Sequence, residues 1–412
     1  MNQCLARDLF APNFCNTHHT AMRIVQAITN LNAKLGGTAR AAIDLATAMA
    51  ARGHQVDVLT SRSAELPSGW GTAVGSNPRN IVDTGPDALL LSRSFGSEGL
   101  EVIRNADVVH LHAMWELFNI RVAALCRSLG VPYISTPHGM LDDWSMAQKT
   151  WKKRSHLFTR GALMLERAAY VHCTARAELA QSKKWFPNGR GTVIANLMDL
   201  TPYEQLPGPE LARAKFPQLS TTKVRLIFLG RVTPKKGLDV LIRALALLRA
   251  DSLDASIIVV GNPDAGYSAS LQSCAREVGM QEYVHYLGHI DGALKVSVVE
   301  ACDLLVIPSS QENFGFVFYE ALACRTPIVT TNLVDTHTEL RESGAATIVD
   351  RSSECIAEGV REGLRVHAPN FACREAARGW VFRICDPTVV AMQFERMYVS
   401  ARGMRTLEES SR

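Results

Sequence analysis

The stretch TPYEQLPGPELARAKFPQLSTTKVRLIFL, residues 201–229, decides how this chain is divided. Its first part, 201–222, holds prolines at positions 202, 207, 209 and 217 and few strand-forming residues. Such a composition is typical of a connection between domains, because proline interrupts both helices and strands. The apolar run VRLIFL at 224–229 then starts a new series of strands and helices. We therefore predict a linker over 201–222 with a domain on either side.

Short apolar runs alternate with helical patterns on both sides of this linker. Helices are predicted at 38–52 and 237–249, where apolar residues recur every three or four positions, and 61–95 is predicted to be rich in loops. Strands are predicted at 22–29, 55–60, 107–112, 132–136, 170–173, 192–195, 224–229, 256–260, 283–287, 303–307, 327–329 and 346–349. The fold class is therefore α/β, with two Rossmann-like domains facing across a cleft. A single barrel is the alternative, and the proline-rich interruption disfavours it.

The expected domain boundaries follow from this pattern. We predict a disordered extension, an N-terminal Rossmann-like domain, the linker, a C-terminal Rossmann-like domain and a final helix with a tail, which could return to the N-terminal domain. These segments are 1–21, 22–200, 201–222, 223–385 and 386–412.

Composition limits the classes of function. The 412 residues are 47% hydrophobic and carry a net charge of +4, which is too weak to indicate nucleic acid. No apolar run reaches the roughly 18 residues that a membrane-spanning helix needs. The first twenty residues resemble no secretory signal, and ten cysteines without a CxxC pair are typical of reduced thiols. We expect a cytoplasmic protein without a nucleic-acid partner.

The segment GRVTPKKG, residues 230–237, joins a predicted strand to a predicted helix. Such a turn offers free backbone N–H groups and the positive end of the helix dipole. Arg231 can place a forked guanidinium on phosphate oxygens, and Lys236 adds a point charge. The segment predicts a diphosphate site, and a solvated basic turn is the alternative.

The segment SSQENFGFVFYEA, residues 309–321, follows the strand at 303–307. We expect Gly315 to mark the start of a helix, which leaves Glu312 in the loop and Glu320 in the second helical turn. Two carboxylates placed in this way can bind two diols of one extended ligand. The alternatives are a capping box from Ser309 to Glu312 and an exposed helical carboxylate at Glu320.

Together these segments resemble glycosyltransferase family 4, the retaining nucleotide-sugar transferases with the GT-B fold. The resemblance rests on Gly-Arg-x4-Lys-Gly followed by Glu-Asn-Phe-Gly-x4-Glu-Ala-Leu-Ala. It implies that Arg231 and Lys236 hold the donor diphosphate, that Glu312 contacts the transferred sugar and that Glu320 binds the ribose. The backbone that is expected to cover the sugar and phosphate belongs to Asn313, Phe314, Gly315, Phe316 and Val317. The C-terminal domain is then the donor domain, and the N-terminal domain takes the acceptor.

The N-terminal half contributes further candidates. The resemblance places Gly36 and Gly37 near the donor phosphate and His138 in the cleft near the reacting end of the sugar. His138 could instead be a core histidine. We expect His112 and Trp115 on the acceptor side. His110 and His112 share a face of the predicted strand 107–112. No third residue has the spacing of a metal ligand, so no metal is predicted.

The resemblance implies a hexosyltransferase-type enzyme that moves a sugar from a nucleotide diphosphate sugar to an acceptor hydroxyl with retention. The predicted catalytic residues are His138, Arg231, Lys236 and Glu312, and the predicted pathway is polysaccharide, lipopolysaccharide or glycolipid biosynthesis. The nucleotide sugar is a substrate, and no cofactor or metal is expected. The alternatives are a GT-B-like sugar-nucleotide epimerase or phosphorylase and a non-catalytic nucleotide-sugar-binding partner. One departure is Arg325, where the family usually has glycine.

The segment KTWKKRSHLFTR, residues 149–160, combines five Lys and Arg side chains with Trp151, Leu157 and Phe158. A basic helix with such apolar residues can lie on anionic lipid, where sugar or lipid-linked acceptors are found. We therefore predict peripheral contact with the inner face of the membrane. A solvated helix whose apolar side packs in the core is the alternative.

Overall fold

A computed structural model of the protein describes residues 20–32, 37–62, 66–83, 96–264 and 266–410. Within these ranges the strands form one sheet of seven strands and one of six. All of the strand pairs are parallel. The α/β class with two Rossmann-like sheets is therefore confirmed. The predicted disordered extension at 1–21 lies almost wholly outside the described residues.

The strands of the first sheet are β1 (Arg23–Ala27), β2 (Gln55–Thr60), β3 (Arg79–Val82), β4 (Val108–His112), β5 (Tyr133–Thr136), β6 (Tyr170–Cys173) and β7 (Gly191–Val193). The strands of the second sheet are β8 (Val224–Leu229), β9 (Ala255–Val260), β10 (Val284–Gly288), β11 (Leu304–Ile307), β12 (Ile328–Thr331) and β13 (Ala346–Val349). The order is β3-β2-β1-β4-β5-β6-β7 in the first sheet and β10-β9-β8-β11-β12-β13 in the second. Each order reverses next to its first strand, which leaves a crevice between β1 and β4 and another between β8 and β11.

The α-helices of the described ranges cover the faces of both sheets. They are α1 (Gly37–Ala51), α2 (Ser97–Arg104), α3 (Leu117–Leu129), α4 (Asp143–Ala147), α5 (Thr150–His156), α6 (Ala162–Glu166), α7 (Arg176–Ser182), α8 (Thr201–Glu204), α9 (Glu210–Lys215), α10 (Leu238–Ala250), α11 (Tyr267–Glu277), α12 (Gly292–Glu300), α13 (Phe316–Ala323), α14 (His337–Glu342), α15 (Ser353–Val366), α16 (Phe371–Ile384) and α17 (Pro387–Ser410). A single π-helical turn, Leu157–Gly161, joins α5 to α6.

Strand β3 is the short element that the sequence analysis did not predict within the loop-rich segment 61–95. Its four residues pair with β2, from Asp57 opposite Arg79 to Thr60 opposite Val82. The strand is only four residues long and includes the polar Asn80, whose buried side chain donates to the Val58 carbonyl at 2.9 Å. Such a short edge strand has too little apolar alternation to be recognised in the sequence.

The segment predicted to be a linker runs between the two sheets and is itself folded. It contains α8, α9 and a 3-10 turn at Pro217–Ser220. Tyr203, Ala212 and Leu219 are buried in the core of the second sheet. The Ala212 amide also donates to the Ser297 hydroxyl of α12 at 2.9 Å. Pro202, Pro209 and Pro217 therefore stand at the starts of short helical turns rather than in an extended connection.

The final helix, α17, crosses from the second sheet back to the first. Val390, Phe394, Tyr398 and Ala401 of this helix are buried in the same core as residues of β1, β2 and β4. Burying one aromatic side chain of this kind contributes about 1.5–3 kcal/mol to folding. The core of the first sheet is therefore completed by residues from the end of the chain.

Candidate active site

Most of the residues singled out in the sequence lie at the carboxyl ends of strands β4, β5, β8 and β11, in the loops that follow them or in the first turns of the next helix. In parallel sheets these carboxyl-terminal loops surround the crevice where ligands bind. The described parts of the two sheets contact each other along these loops, as the hydrogen bonds below show. The site is therefore built from both halves of the chain.

The basic loop after β8 is shaped by Gly237. Gly237 has a φ of 74° and is the N-cap residue directly before α10, and a Cβ at this position would lie 2.3 Å from the Pro308 carbonyl oxygen. Only glycine fits there, because a side chain would be both strained and in collision. The turn directs Lys236 toward Glu312, with Nζ 2.7 Å from the Glu312 carboxylate. Arg231 is exposed, so its guanidinium is accessible to a ligand.

The environment of Glu312 keeps its carboxyl ionised. Burial alone would raise the pKa of this group, but Lys236, Lys235 and Arg231 together lower its pKa below the usual value. Lys235 lies in the same loop and donates to the Gln311 side-chain oxygen at 2.8 Å. The loop after β8 therefore places three cations around one carboxylate.

The helix after β11 begins at Phe316, directly after Gly315, as predicted. Gly315 has a φ of 68°, and a Cβ there would come within 2.6 Å of the Phe318 ring. Glu312 accordingly lies in the loop, and a capping box from Ser309 is wrong because the helix starts too late for it. Glu320 lies in the second turn of α13, as predicted.

Glu320 is 4% exposed, so the alternative of an exposed helical carboxylate is wrong. Its two oxygens lie 3.2 Å from Lys295 Nζ and 3.5 Å from Arg40 Nη1. Arg40 comes from α1 of the opposite half, and its guanidinium lies 4.9 Å from the centre of the Phe316 ring. The sequence analysis missed Arg40 and Lys295. Only the position of Arg40, three residues after a Gly-Gly turn, could have indicated it.

The segment Asn313–Val317 divides into structural and accessible parts. The Asn313 side chain accepts from the Thr174 hydroxyl at 3.1 Å and donates to Asp335 at 3.2 Å. Phe314 is buried, with its ring 4.4 Å from that of Tyr319. Phe316 and Val317 are half-buried. The Asn313 and Phe314 side chains are therefore engaged in packing, and their backbone is what remains for a ligand.

Polar contacts hold the two halves together beside these loops. Gln181 of α7 donates to Asp335 at 3.0 Å, and Gln311 donates to Asp142. Arg176 pairs with Glu339 of α14 at 3.0 Å. Burial, followed by the charge of Glu178, raises the pKa of Asp335 to about 8. The cleft is closed along one side in this structure.

His138 follows β5 in a backbone conformation that is rare for a residue with a side chain. Its φ of 53° lies in the left-handed region, which costs about 1–3 kcal/mol and is concentrated at functional sites. The ring is half-buried, and Nε2 lies 3.1 Å from His112 Nδ1. Burial lowers the pKa of His138, so the ring is neutral.

The structure corrects the placement of His112 on the acceptor side. His112 is 2% exposed, and its ring stacks behind that of His138 with centroids 5.4 Å apart. Burial lowers the pKa of His112 to about 3. His112 therefore supports His138 and does not face an acceptor. Trp115 is half-buried against α5, with its ring 5.4 Å from that of His156.

Two other expectations concern the first loop and metal binding. Gly36 lies outside the described residues. Gly37 is the first residue of α1, and a Cβ there would lie 3.8 Å from the Phe316 ring, so α1 starts close to α13. In the part of the chain that the structure describes, no group of three or more His, Cys, Asp or Glu side chains could hold a metal ion.

Comparison with known proteins agrees with this geometry. The family model for glycosyl transferases group 1 matches residues 212–380, and the model for glycosyltransferase family 4 matches residues 35–201. The D-inositol 3-phosphate glycosyltransferase of Kineococcus radiotolerans is 27% identical over 85% of this chain and 83% of its own. The phosphatidyl-myo-inositol mannosyltransferase of Mycobacterium leprae is 28% identical over 88% of this chain and 92% of its own.

Among solved structures, Anabaena HepE in complex with UDP and glucose superposes with a TM-score of 0.72 at 18% identity, covering 92% of this chain and 100% of that one. Two parallel Rossmann-like sheets facing each other across a cleft define the GT-B fold. The chain belongs to the glycosyltransferase group 1 and family 4 enzymes. It is a glycosyltransferase that uses a nucleotide sugar as its donor.

Proposed function

We propose that this enzyme transfers a hexose from a nucleoside diphosphate sugar to an acceptor hydroxyl with retention of configuration. The observation that carries the proposal is the ion pair between Lys236 and Glu312 beside the exposed Arg231. Two cations at the start of α10 can stabilise the negative charge that develops on the leaving diphosphate. Glu312 lies next to them, where the transferred sugar would be attached.

The positions of Glu320 and His138 support these assignments. Glu320 offers carboxylate oxygens from a buried position and suits a diol such as ribose. The left-handed His138 enters from the opposite half and suits a hydroxyl of the sugar. We assign no covalent nucleophile among these candidates, because the cations around Glu312 lower its pKa and so make its carboxylate a weaker nucleophile. A front-face displacement assisted by the departing phosphate is the route we infer, with closure of the cleft excluding water.

Two other functions use a similar scaffold. An epimerase or phosphorylase would handle the same nucleotide sugar or a sugar phosphate, and a binding protein would hold it without reaction. The strained backbone at His138 is typical of a functional site, catalytic or ligand-binding, so activity measurements have to separate an enzyme from a binding protein. Product analysis with UDP-, GDP- and ADP-hexoses separates transfer from isomerisation and phosphorolysis.

The two glutamates should respond differently to the same change. Glu320→Gln should weaken binding of a bare nucleoside diphosphate by about 1.5–3 kcal/mol, because it replaces a charge-assisted hydrogen bond to the ribose. Glu312→Gln should leave that affinity nearly unchanged and lower kcat, because Glu312 would contact only the sugar. Isothermal titration and initial rates on the same preparations measure both effects.

Each of these glutamate variants is the control for the other, because both replace a paired carboxylate by an amide. Equal affinity of Glu320→Gln and wild type for UDP, GDP and ADP would contradict the ribose assignment. Full activity of Glu312→Gln would contradict its contact with the sugar.

We also propose that α5 and the π-helical turn after it contact an anionic membrane, which would place the enzyme at the cytoplasmic face beside a lipid-linked acceptor. Trp151 is 72% exposed and Phe158 is 92% exposed. They are seven residues apart, which places them on one side of a helix. The exposed Lys149, Lys152 and Arg154 surround them. No helix in the described ranges is long and apolar enough to cross a membrane.

The double variant Trp151→Ser, Phe158→Ser should lose most of its binding to vesicles that contain anionic lipid, because it removes the apolar residues that would enter the interface. Vesicle flotation measures the bound fraction. Phe371→Ser is the matched control, since Phe371 is also exposed but lies on α16 of the other half. Equal recovery of wild type with neutral and anionic vesicles would contradict the proposal.

A further inference from the structure

Four histidines lie together at the carboxyl ends of β4, β5 and β6, and their ring nitrogens are joined by hydrogen bonds. At the inner end, His172 Nε2 lies 2.8 Å from the Ile194 carbonyl oxygen. His172 Nδ1 lies 2.9 Å from the Thr136 hydroxyl, and that hydroxyl lies 2.6 Å from His110 Nε2. His172, Thr136 and His110 are all buried, so these groups depend on one another for hydrogen bonds.

The chain of hydrogen bonds continues from His110 to His138 through side chains of α17 and β1. His110 Nδ1 lies 2.8 Å from the Tyr398 hydroxyl, which accepts from Gln26 Nε2 at 3.1 Å. Gln26 Oε1 lies 2.7 Å from His112 Nε2. His112 Nδ1 lies 3.1 Å from His138 Nε2, where the chain of hydrogen bonds reaches the half-buried end.

The inner end of this network fixes the direction of every hydrogen bond. A backbone carbonyl can only accept, so His172 carries its proton on Nε2, and its Nδ1 must accept from Thr136 when the ring is neutral. The Thr136 hydroxyl has one proton, which it donates to His172, so its oxygen can only accept a hydrogen bond from His110 Nε2. By the same rule, the remaining nitrogen of His110, Nδ1, accepts from the Tyr398 hydroxyl.

The same logic determines the outer half. The Tyr398 hydroxyl donates its hydrogen bond to His110 and must therefore accept from the amide group of Gln26. This arrangement orients the Gln26 side-chain oxygen toward His112. His112 then donates through Nε2, and its Nδ1 accepts from His138 Nε2. Burial lowers the pKa of His110 and His112, and it lowers that of His172 to about 4, so the rings are neutral as this logic requires.

We infer that this network holds His138 as the Nε2–H tautomer, so that Nδ1 presents only a lone pair to the ligand. In the described ranges no protein group bonds to this Nδ1, whereas Nε2 is engaged by His112. His172, Thr136, His110, Tyr398, Gln26 and His112 are positioning residues for His138. The inference rests on the proposed function for the statement that the ligand is the donor sugar.

A neutral nitrogen that can only accept selects its partner by chemistry. It binds a hydroxyl, which donates a proton, and it offers nothing to a carboxylate oxygen, which has none to donate. The site next to His138 should therefore take a neutral hexose that carries a hydroxyl at this point. A uronic acid with a carboxylate in the same place should be a poor substrate, because the Nδ1 lone pair and the carboxylate repel each other.

Tyr398→Phe tests the network, since it removes the hydroxyl that links His110 to Gln26. Long-range ¹H–¹⁵N spectra of histidine-labelled protein distinguish protonated from unprotonated ring nitrogens, and His138→Gln assigns the His138 signals. We expect wild-type His138 to be protonated at Nε2 only. We expect Tyr398→Phe to show both tautomers and a kcat at least tenfold lower, with unchanged nucleoside diphosphate affinity.

The control is Tyr170→Phe. The Tyr170 hydroxyl is hydrogen-bonded at 2.9 Å to Ser400, which lies on α17 as Tyr398 does, but neither residue belongs to the network. It should keep the wild-type tautomer and kcat. Gln26→Met is a second test, because it removes the acceptor of His112 without opening a large cavity and does not depend on how Tyr398→Phe folds. It should also show mixed tautomers at His138.

Wild-type His138 protonated at Nδ1 would overturn the inference, and so would a single unchanged tautomer in both Tyr398→Phe and Gln26→Met. Equal use of a hexose donor and the matching uronic acid donor would overturn the stated selectivity. If the spectra are as expected but His138→Gln retains full kcat, the network stands and the proposed contact of His138 with the sugar fails.

Discussion

Replacing Lys236 by alanine should weaken nucleoside diphosphate binding and also destabilise the fold, most strongly at neutral pH. The loss of affinity should be about 1.5–3 kcal/mol, the magnitude of one charge-assisted hydrogen bond to phosphate. The loss of stability follows from the 2.7 Å pair with Glu312, because both side chains are largely buried. An ionised carboxylate left without its nearest cation should cost about 1–3 kcal/mol.

The pH dependence of this stability difference follows from the lowered pKa of Glu312. A carboxyl whose pKa is lower in the folded state stabilises the fold above its unfolded pKa, and this contribution is lost as the pH falls through the folded pKa. Without Lys236, burial should raise the pKa of Glu312. Protonation of the carboxyl then removes the uncompensated charge, and with it the loss of stability in the variant. The difference in melting temperature should therefore be large at pH 7 and smaller near pH 4.

Arg231→Ala is the matched control, since it removes a cation from the same loop. Arg231 is exposed and makes no ion pair with another residue that the structure describes. It should lose affinity to a similar extent and change the melting temperature much less than Lys236→Ala at every pH, because Arg231 is the last of the three cations in its effect on the pKa of Glu312. Unchanged affinity in both variants would contradict the diphosphate site, and an unchanged melting curve for Lys236→Ala would contradict the role of the buried pair.

Replacing His138 should abolish most of the activity while the nucleotide remains bound. We expect kcat of His138→Ala to fall by about two orders of magnitude or more, the usual contribution of a positioned polar group at a reacting centre. Nucleoside diphosphate affinity should stay within about twofold of wild type, because the ring lies on the half opposite the basic loop. Single-turnover rates and isothermal titration measure the two quantities.

The left-handed backbone at His138 makes His138→Asn the better-matched variant, since asparagine tolerates a positive φ better than alanine does. Both variants should lose kcat, and the asparagine variant should melt close to wild type. A loss of melting temperature without a loss of kcat would show that His138 is a core histidine.

Local patterns in the sequence were sufficient where neighbours along the chain determine the structure. Strand β8 was predicted at its observed bounds, because five apolar residues among six stand between a proline-rich segment and a glycine. The start of α13 was predicted from Gly315, since its left-handed conformation is a local requirement. The donor-side motif depends on such local order.

What the sequence did not reveal depends on contacts between distant residues. Arg40 reaches Glu320 across 280 positions, and Tyr398 reaches His110 across 288. No periodicity connects such positions, and Arg40 and Tyr398 taken alone look like ordinary polar members of helices. His112 was assigned to the acceptor side because the sequence shows that it ends a strand. Its burial behind His138 depends on the tertiary structure, which local patterns do not show.

The return of α17 to the first sheet determines the order in which the protein can fold as it is synthesised. The first sheet leaves the ribosome early, but one of its two cores lacks Phe394 and Tyr398 until α17 has been made. The second sheet draws its core from residues 198–385 and is complete before α17 exists. The core under α17 is therefore completed after that of the second sheet, whereas the other core of the first sheet, formed within residues 25–186, needs no residue of α17. A fragment that ends near residue 200 would expose the apolar face that α17 covers and would aggregate.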